Sequence, residues 1–261
     1  FMLLLTTCVD YIRLLPLGAF GALGLLAMLY LLYHDPVRAK LTSTAQLIDA
    51  TLVGYISAIF SARLFFFFAE PDQALTLWNF FNITNGGFSI VGGVLGVFTI
   101  VPIYLAWQKI PILAALDLTA LYAPLMQSIG RIGCLSVGCC YGMPTSKWLS
   151  VTYHNHSAGA PLGTALLPTQ LYSSISLIMI FALLFFLRKQ LKIGTGSILF
   201  LYLTLISIER WANDFFRSSH THKFMLYDHN MYQIVALVTA AVSFILLCIV
   251  TLQSRGTHKR L

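Results

Sequence analysis

Long runs of apolar residues recur through this chain of 261 residues. A run of roughly 20 apolar residues is what an α-helix needs to cross the hydrocarbon core of a bilayer. Inside that core every backbone N–H and C=O must be bonded within the protein, which only helices and closed barrels achieve. The runs therefore restrict the fold to a bundle of membrane-spanning helices. We predict seven spans, at about 14–33, 47–69, 86–107, 111–133, 170–187, 197–217 and 230–252.

The composition agrees with an all-α integral membrane protein. Hydrophobic residues make up 58% of the chain and charged residues 10%, with a mean hydropathy of +0.80. In soluble domains roughly a quarter of the residues are charged. The formal net charge is +7, but the basic residues are dispersed between apolar runs, which argues against nucleic acid as a partner. No linker or internal repeat divides the sequence, so we predict a single membrane domain over residues 1–261.

The basic residues between the spans predict the orientation of the chain. Loops rich in lysine and arginine stay in the cytoplasm. Nine basic residues fall on one side of the predicted spans and three on the other. The N-terminus is therefore predicted outside and the C-terminus in the cytoplasm. This orientation places a small polar insertion, at about 143–169, on the extracytoplasmic side.

Several charged residues lie inside the predicted spans, where a charge raises the free energy of the protein in the membrane. A charge near the bilayer centre costs about 3 kcal/mol even on insertion scales, so such side chains should face protein, water or one another. On the sixth span Arg210, Asp214 and Arg217 are spaced by four and three and share one helical stripe. The predicted orientation puts them, with Arg63 and Arg131, in the outer halves of their helices. A purely structural network, in which Asp214 neutralises Arg210, is the alternative.

Glycines at the start of the third span lie at the same predicted level. Two glycine pairs, 86–87 and 92–93, flank the sequence Phe-Ser-Ile-Val. Glycine allows helix backbones to approach closely and exposes amides to a ligand. Arginine carries a planar fork of donors that suits phosphate. Together they predict a site for an anionic lipid headgroup near the outer leaflet.

Three of the five cysteines lie in the run GRIGCLSVGCCYG, residues 130–142. An odd number of cysteines at these spacings does not indicate a disulfide framework. We favour packing as small apolar residues for Cys139 and Cys140. A nucleophilic thiol beside Arg131, or a vicinal disulfide, stays open as an alternative. We predict no metal site and no cofactor from the sequence.

Five separated segments and one glutamine, in the same order, resemble the prolipoprotein diacylglyceryl transferase family. The resemblance covers nearly the whole chain. The segments are Gly86–Gly93 against GGxSxHGG, Asp117–Pro124 against a D-x-x-A-P stretch, Gly130–Gly133 against GRxGN, Pro168–Tyr172 against HPSQLYE, Arg210–Arg217 against R-x-x-x-E-F-F-R, and Gln233 against the GQ of the last helix.

The resemblance implies a multi-pass enzyme of the bacterial cytoplasmic membrane, with its active site toward the outer leaflet. Its reaction would move diacylglyceryl from phosphatidylglycerol to the lipobox cysteine of a lipoprotein precursor and release glycerol phosphate. Arg131, Arg210 and Asp214 are implied as catalytic residues. The implied substrate-binding residues are Arg63, Gly86, Gly87, Ser89, Gly92, Gly93, Gly130, Gly133, Cys134, Cys139, Tyr172, Arg217 and Gln233.

The chain departs from the family pattern at several polar positions. Val91 stands where the family has a histidine, and Cys134 stands where its signature has an asparagine. The other replacements are Cys139 for a glutamate, Phe20 for an N-terminal tyrosine, and Asp214 for the glutamate of R-x-x-x-E. These departures keep two alternatives open: a non-catalytic relative that binds lipid or a membrane partner, and a transferase with a different acceptor. A transporter is a weaker third alternative, because no inverted repeat is evident.

Overall fold

The computed structural model describes residues 2–69, 76–81, 89–146, 149–155, 159–190, 195–217, 225–226 and 229–258. Helices account for most of these residues. The helices are α1 Met2–His34, α2 Pro36–Leu41, α3 Thr44–Ala69, α4 Leu77–Phe81, α5 Ile90–Trp107, α6 Ile112–Val137, α7 Thr169–Gln190, α8 Ser197–Asp214 and α9 Met231–His258. Short strands are β1 Val151–Thr152, β2 Ala165–Leu166, β3 Met225–Leu226 and β4 His229–Asn230.

Five helices of the described chain are long and apolar enough to cross a membrane, which identifies a multi-pass membrane protein. Their apolar segments are Pro16–His34, Thr44–Phe68, Ile112–Val137, Thr169–Arg188 and Gln233–Gln253. Helix α5 adds a shorter apolar segment, Val91–Trp107. Helix α8 covers the sixth predicted span, but its last two turns carry Glu209, Arg210 and Asp214. The count of seven spans and the orientation stay predictions.

The chain forms two compact units. One comprises Phe1–Leu32 and Leu116–Leu261, and the other comprises Tyr33–Ala115. The expectation of a single domain over the whole length stays a prediction. Each unit contains part of the residue set that the sequence marks as functional.

In the smaller unit, α3 and α5 pack closely through glycines. A Cβ on Gly92 would lie 2.5 Å from the Ser61 carbonyl oxygen, and one on Gly96 would lie 2.8 Å from the Ser57 carbonyl oxygen. Helix α5 begins at Ser89, whose Oγ accepts a hydrogen bond from the Gly92 amide at 3.3 Å. The glycines therefore allow backbone-to-backbone contact between the two helices.

Arg63 links α3 to α4 in the same unit. The residue is 5% exposed, and its guanidinium donates to the Asn79 carbonyl at 2.6 Å and to the Phe80 carbonyl at 3.1 Å. The guanidinium also lies 5.3 Å from the Phe67 ring centroid. These contacts supply acceptors and an aromatic face to a charge that would otherwise be costly to bury.

In the larger unit, α6 contacts α1, α7 and α8. Gly133 allows α1 to approach it, because a Cβ there would lie 2.8 Å from Phe20 Cβ. Ser128 on α6 and Ser174 on α7 are joined by a 2.8 Å contact between their hydroxyl oxygens. Gln127 donates from Nε2 to the Tyr202 hydroxyl on α8 at 2.8 Å. Polar contacts thus connect α6 to both neighbours inside an apolar environment.

Asp117 of α6 caps the N-terminus of α8. The first turn of a helix has unbonded amides and a partial positive charge. The N-cap residue Gly196, at φ +96°, has no side chain to bond them. The Asp117 carboxylate accepts from the Leu199 amide at 2.7 Å and from the Gly196 amide. A carboxylate on another helix therefore replaces the local cap.

The insertion after α6 forms a small two-stranded sheet in its described part. Strands β1 and β2 are antiparallel, with Val151 opposite Leu166 and Thr152 opposite Ala165. A further bridge joins Pro144 to Leu166. The short strands fold the insertion back onto the ends of α6 and α7.

We expect Asp117→Ala to lower the free energy of unfolding by about 1–2 kcal/mol, the usual cost of losing a helix cap. Asp117→Asn should cost less, because an amide oxygen still accepts one hydrogen bond. The measurement is thermal unfolding in detergent. Asp49→Asn, at an exposed position in α3, is the matched control. Equal unfolding midpoints for the Ala variant and this control would contradict the capping role.

Candidate active site

The C-terminal turn of α6 brings two cysteines together. Gly138, at φ +69°, ends the helix in a left-handed conformation, and the Cys139 amide donates back to the Cys134 carbonyl at 3.1 Å. The Gly138 amide donates to the Leu135 carbonyl at 3.4 Å. This is the Schellman pattern, which places the side chains at its first and last positions in contact. Here both of those side chains are thiols.

A third thiol joins them in the next residue. Cys140 has φ +58°, a left-handed conformation that is rare outside glycine and that turns its side chain back toward the helix end. The Sγ atoms of Cys134, Cys139 and Cys140 all lie within 4.8 Å of one another, and all three are half-buried free thiols. The three residues form what we call the thiol cluster.

Hydrogen bonds from the start of α7 and from the insertion hold this turn. Gln170, 1% exposed, donates from Nε2 to the Cys139 carbonyl at 2.7 Å, and the Thr169 hydroxyl donates to the Cys140 carbonyl at 2.8 Å. The Tyr153 hydroxyl donates to the Leu135 carbonyl at 2.9 Å. The carbonyls at the end of α6 are thereby bonded, and the backbone of the thiol cluster has little freedom.

Backbone pairing then connects this turn to the end of α8. Gly142 forms an antiparallel bridge with Arg217, and the Met143 amide donates to the Phe216 carbonyl at 2.9 Å. A Cβ on Gly142 would lie 2.6 Å from the Leu167 carbonyl oxygen and 2.7 Å from that of Phe216. Only glycine allows this approach, which carries Arg217 to the thiol cluster.

Three arginines converge at this place. The positive charges of Arg131 and Arg217 lie close enough to repel that of the Arg210 guanidinium, whereas the Asp214 carboxylate attracts it. Arg210 and Asp214 form an ion pair at 3.7 Å, with Asp214 3% exposed. Arg131 has no hydrogen bond or ion pair with the described residues, and the buried Nε of Arg217 has no hydrogen-bond partner among them. The cluster therefore has excess positive charge and free donors, which suit an anion.

The arginines also act on the thiols. Hydrogen bonds from the thiols of Cys134 and Cys139 lower the pKa of the Cys140 thiol, and the charges of Arg217 and Arg131 act in the same direction, against burial. A thiolate at Cys140 is thus stabilised by two thiol donors and two nearby cations. The anion site and the thiol cluster share Arg131 and Arg217.

An open groove of about 410 Å³ runs between α7 and α8 beside this site. Its polar lining includes Glu209 and Asn213. The Oε1 of Glu209 and the Oδ1 of Asn213 are buried and have no hydrogen-bond partner among the described residues. Asn213 is 8% exposed. Among the described residues, the lining comprises Tyr172, Ser176, Met179, Ile180, Leu183, Leu205, Ile208, Glu209, Ala212, Asn213 and Phe216. Because Asn213 lies three residues after Arg210, the groove adjoins the arginine stripe of α8.

The structure distributes the sequence-predicted residues unequally. Arg131, Arg210, Asp214, Arg217, Cys134 and Cys139 come together, and Tyr172 lines the adjacent groove. Gly130 has open space where a Cβ would lie, and Gly133 contacts α1. Gln233 lies half-buried in the first turn of α9.

The remaining predicted residues belong to the smaller unit. Gly86 and Gly87 lie outside the described residues. Ser89 caps α5, and the amides of Gly92 and Gly93 donate to its Oγ and its carbonyl oxygen. Arg63 bonds α4 as described above. Substrate binding by these residues stays a prediction.

The predicted site set leaves out four residues that shape the site. Thr169 and Gln170 lie in the matched segment Pro168–Tyr172, of which the set includes only Tyr172. Glu209 is a charged residue of the sixth predicted span and Asn213 lies at the edge of the arginine stripe, and both line the groove. Their signal was the i, i+4 spacing from Leu205 to Glu209 to Asn213, which predicts one helix face beside the arginine stripe.

These features define a multi-pass helical membrane protein with a cationic site beside a largely apolar groove. A family model described as prolipoprotein diacylglyceryl transferase matches residues 11–249. The chain belongs to the prolipoprotein diacylglyceryl transferase family, a family of transferase enzymes.

Curated relatives agree with this family. A phosphatidylglycerol–prolipoprotein diacylglyceryl transferase of Dehalococcoides mccartyi is 32% identical over 175 residues, which cover 65% of this chain and 66% of the relative. One from Clostridium tetani is 32% identical over 172 residues, covering 66% of this chain and 68% of the relative. One from Clostridium perfringens is 28% identical over 220 residues, covering 82% and 81%.

We expect Gly142→Ala to destabilise the fold by about 1–3 kcal/mol, because the added methyl group overpacks against two carbonyl oxygens. Thermal unfolding in detergent measures the effect. Gly21→Ala is the control, since a Cβ on Gly21 in α1 meets nothing within 4 Å. An unfolding midpoint for Gly142→Ala that equals the control value would contradict the close approach.

Proposed function

We propose that the chain is a phosphatidylglycerol-dependent diacylglyceryl transferase. It moves diacylglyceryl from an anionic phospholipid to a thiol acceptor, the lipobox cysteine of a lipoprotein precursor, and releases glycerol phosphate. The names of the curated relatives support this reaction at the level of the family. We further propose that it works in the bacterial cytoplasmic membrane, with its site toward the outer leaflet.

The observation that carries the proposal is the position of the arginine cluster beside the groove. A phospholipid combines a phosphate with long apolar chains. The guanidiniums of Arg131, Arg210 and Arg217 suit the phosphate. The groove wall between α7 and α8 is mostly apolar and open at the side, as an acyl chain entering from the bilayer requires. The two features adjoin along α8.

The proposed chemistry is a nucleophilic displacement. An acceptor thiolate attacks the glycerol carbon that carries the phosphate. A C–S bond forms, the C–O bond breaks, and the phosphate leaves with the electron pair, becoming a dianionic monoester. Because the leaving phosphate gains charge, guanidiniums bind it more strongly in the transition state than in the ground state. Asp214 keeps Arg210 in place through their ion pair.

The arginines give the direct test. We expect Arg131→Ala and Arg210→Ala to lower turnover by at least about 100-fold, as removal of a charge-stabilising donor does elsewhere. Arg131→Lys should recover only part of the activity, because lysine lacks the planar fork. The assay combines labelled phosphatidylglycerol with a lipobox peptide, mass spectrometry of the peptide, and detection of released glycerol phosphate.

Lys109→Gln, at an exposed position in the loop before α6, is the matched control that removes a positive charge elsewhere. Circular dichroism and size-exclusion chromatography verify folding of each variant. An unmodified chain that binds phosphatidylglycerol but forms no adduct would instead favour the non-catalytic, lipid-binding relative.

A second prediction concerns the groove. Ala212→Trp fills the space between α7 and α8, so we expect a higher KM for phosphatidylglycerol and weaker lipid binding. Val238→Trp, at a position 57% exposed in α9 and outside the groove lining, controls for an added indole in the bilayer. Unchanged lipid binding in Ala212→Trp would exclude the groove as the acyl-chain site.

A further inference from the structure

The thiol cluster has the dimensions of a metal site. Zinc–thiolate bonds of about 2.3 Å at tetrahedral angles separate sulfur atoms by about 3.8 Å. The Sγ atoms of Cys134, Cys139 and Cys140 already lie within 4.8 Å of one another. The remaining difference of about 1 Å is small compared with the displacement of a cysteine sulfur between rotamers.

The backbone that carries these thiols is fixed before any ion arrives. The Schellman turn sets Cys134 against Cys139, and the left-handed conformation of Cys140 adds the third thiol. Gln170 and Thr169 bond the carbonyls of Cys139 and Cys140. A preformed set of ligands lowers the cost of ordering them on binding.

The surrounding charge also suits the complex. A divalent ion bound by three thiolates carries a net charge of −1. Arg131 and Arg217, whose charges act on the cluster, compensate that negative charge. Cysteine ligands bind as thiolates, so binding releases their protons to solvent. Arginines that would repel a free cation therefore favour the tris-thiolate complex.

From these observations we infer that Cys134, Cys139 and Cys140 bind one thiophilic metal ion, such as Zn²⁺, and leave its fourth position open. No further histidine, cysteine, aspartate or glutamate of the described residues joins the group. Structural zinc sites have four protein ligands, whereas catalytic sites have three and keep one position for water or substrate. The cluster is of the second kind.

The open position can take the acceptor thiol, a step that rests on the proposed function. A thiol that binds the ion loses its proton to solvent and becomes the thiolate that the displacement consumes. Its sulfur then lies next to Arg131 and Arg217, the residues proposed to hold the phosphate. After the C–S bond forms, the product is a neutral thioether, a weaker ligand that dissociates. The proton, the nucleophile and the leaving group are thus all accounted for.

Metal binding is tested on the full-length protein in detergent, without phospholipid. Co²⁺ serves as the probe, because tetrahedral thiolate coordination gives intense charge-transfer and visible absorption bands. We expect one Co²⁺ per chain, displaced by Zn²⁺. Cys134→Ser, Cys139→Ser and Cys140→Ser should each weaken binding by more than about 100-fold, since even outer-shell partners of metal ligands contribute 10- to 100-fold.

Cys248→Ser, which removes a half-buried thiol on α9 outside the cluster, should bind Co²⁺ normally. Absence of the absorption bands would overturn the inference, as would normal Co²⁺ binding by the variant with all three cluster cysteines replaced by serine. A disulfide between two of these cysteines in protein isolated without reductant, with no bound metal, would also overturn it.

The fourth position has its own test. A lipobox peptide added to the Co²⁺ form should strengthen the sulfur-to-cobalt band, and the same peptide with serine in place of cysteine should not. Equal spectra with both peptides would overturn the assignment of the open position to the acceptor thiol. A protein that binds Co²⁺ through the three cysteines but transfers no diacylglyceryl would overturn the proposed function alone.

Discussion

The backbone pairing between the chain after α6 and the end of α8 is the contact on which the site depends. The Gly142–Arg217 bridge and the bond from the Met143 amide to the Phe216 carbonyl join segments 75 residues apart in sequence, from Gly142 to Arg217. Asp117 and Gln127 hold α6 against the earlier turns of α8, and this pairing fixes the end of the arginine stripe, at Arg217, beside the thiol cluster. The absence of a side chain at residue 142 is what allows the two carbonyl oxygens to come so near.

The electrostatics of the site follow from that pairing. Three guanidiniums close together repel one another, and Asp214 offsets only part of their charge. A membrane protein tolerates this excess positive charge only where an anion, water or a polarisable group compensates it. A lipid phosphate on one side and thiolates on the other both meet this requirement. Both proposals, phosphate binding by the arginines and metal binding by the thiol cluster, therefore use this surplus of positive charge.

The long helices could be predicted from the sequence because apolar runs of about membrane-spanning length indicate most of them, whereas the short helices α2 and α4 have no such run. The stripe of Arg210, Asp214 and Arg217 was equally predictable, since its spacing is a property of any helix. The thiol cluster was not, because it depends on two left-handed residues, Gly138 and Cys140. A glycine four residues after Cys134 and directly before Cys139 is nevertheless a readable sign of a Schellman end.

Glycines show a different limit of sequence reasoning. Some glycines allow a ligand to contact the backbone, and others allow a neighbouring helix to contact it. In the sequence the two kinds look the same. At Gly92 and Gly96, α3 occupies the space that a side chain would need. The amides of Gly92 and Gly93 donate to Ser89 at the start of their own helix. Only the identity of the neighbour distinguishes the two uses. That identity is decided by tertiary packing and not by local pattern.

The length of the groove has a consequence for how a lipid would be handled. Along α7 its lining runs from Tyr172 to Leu183, a rise of about 16 Å at 1.5 Å per residue. Half of a hydrocarbon core that is about 30 Å thick is about 15 Å. The groove is therefore about as long as a single leaflet is deep. Under the proposed function, a lipid bound in it keeps its tails within one leaflet and enters sideways without being lifted into water.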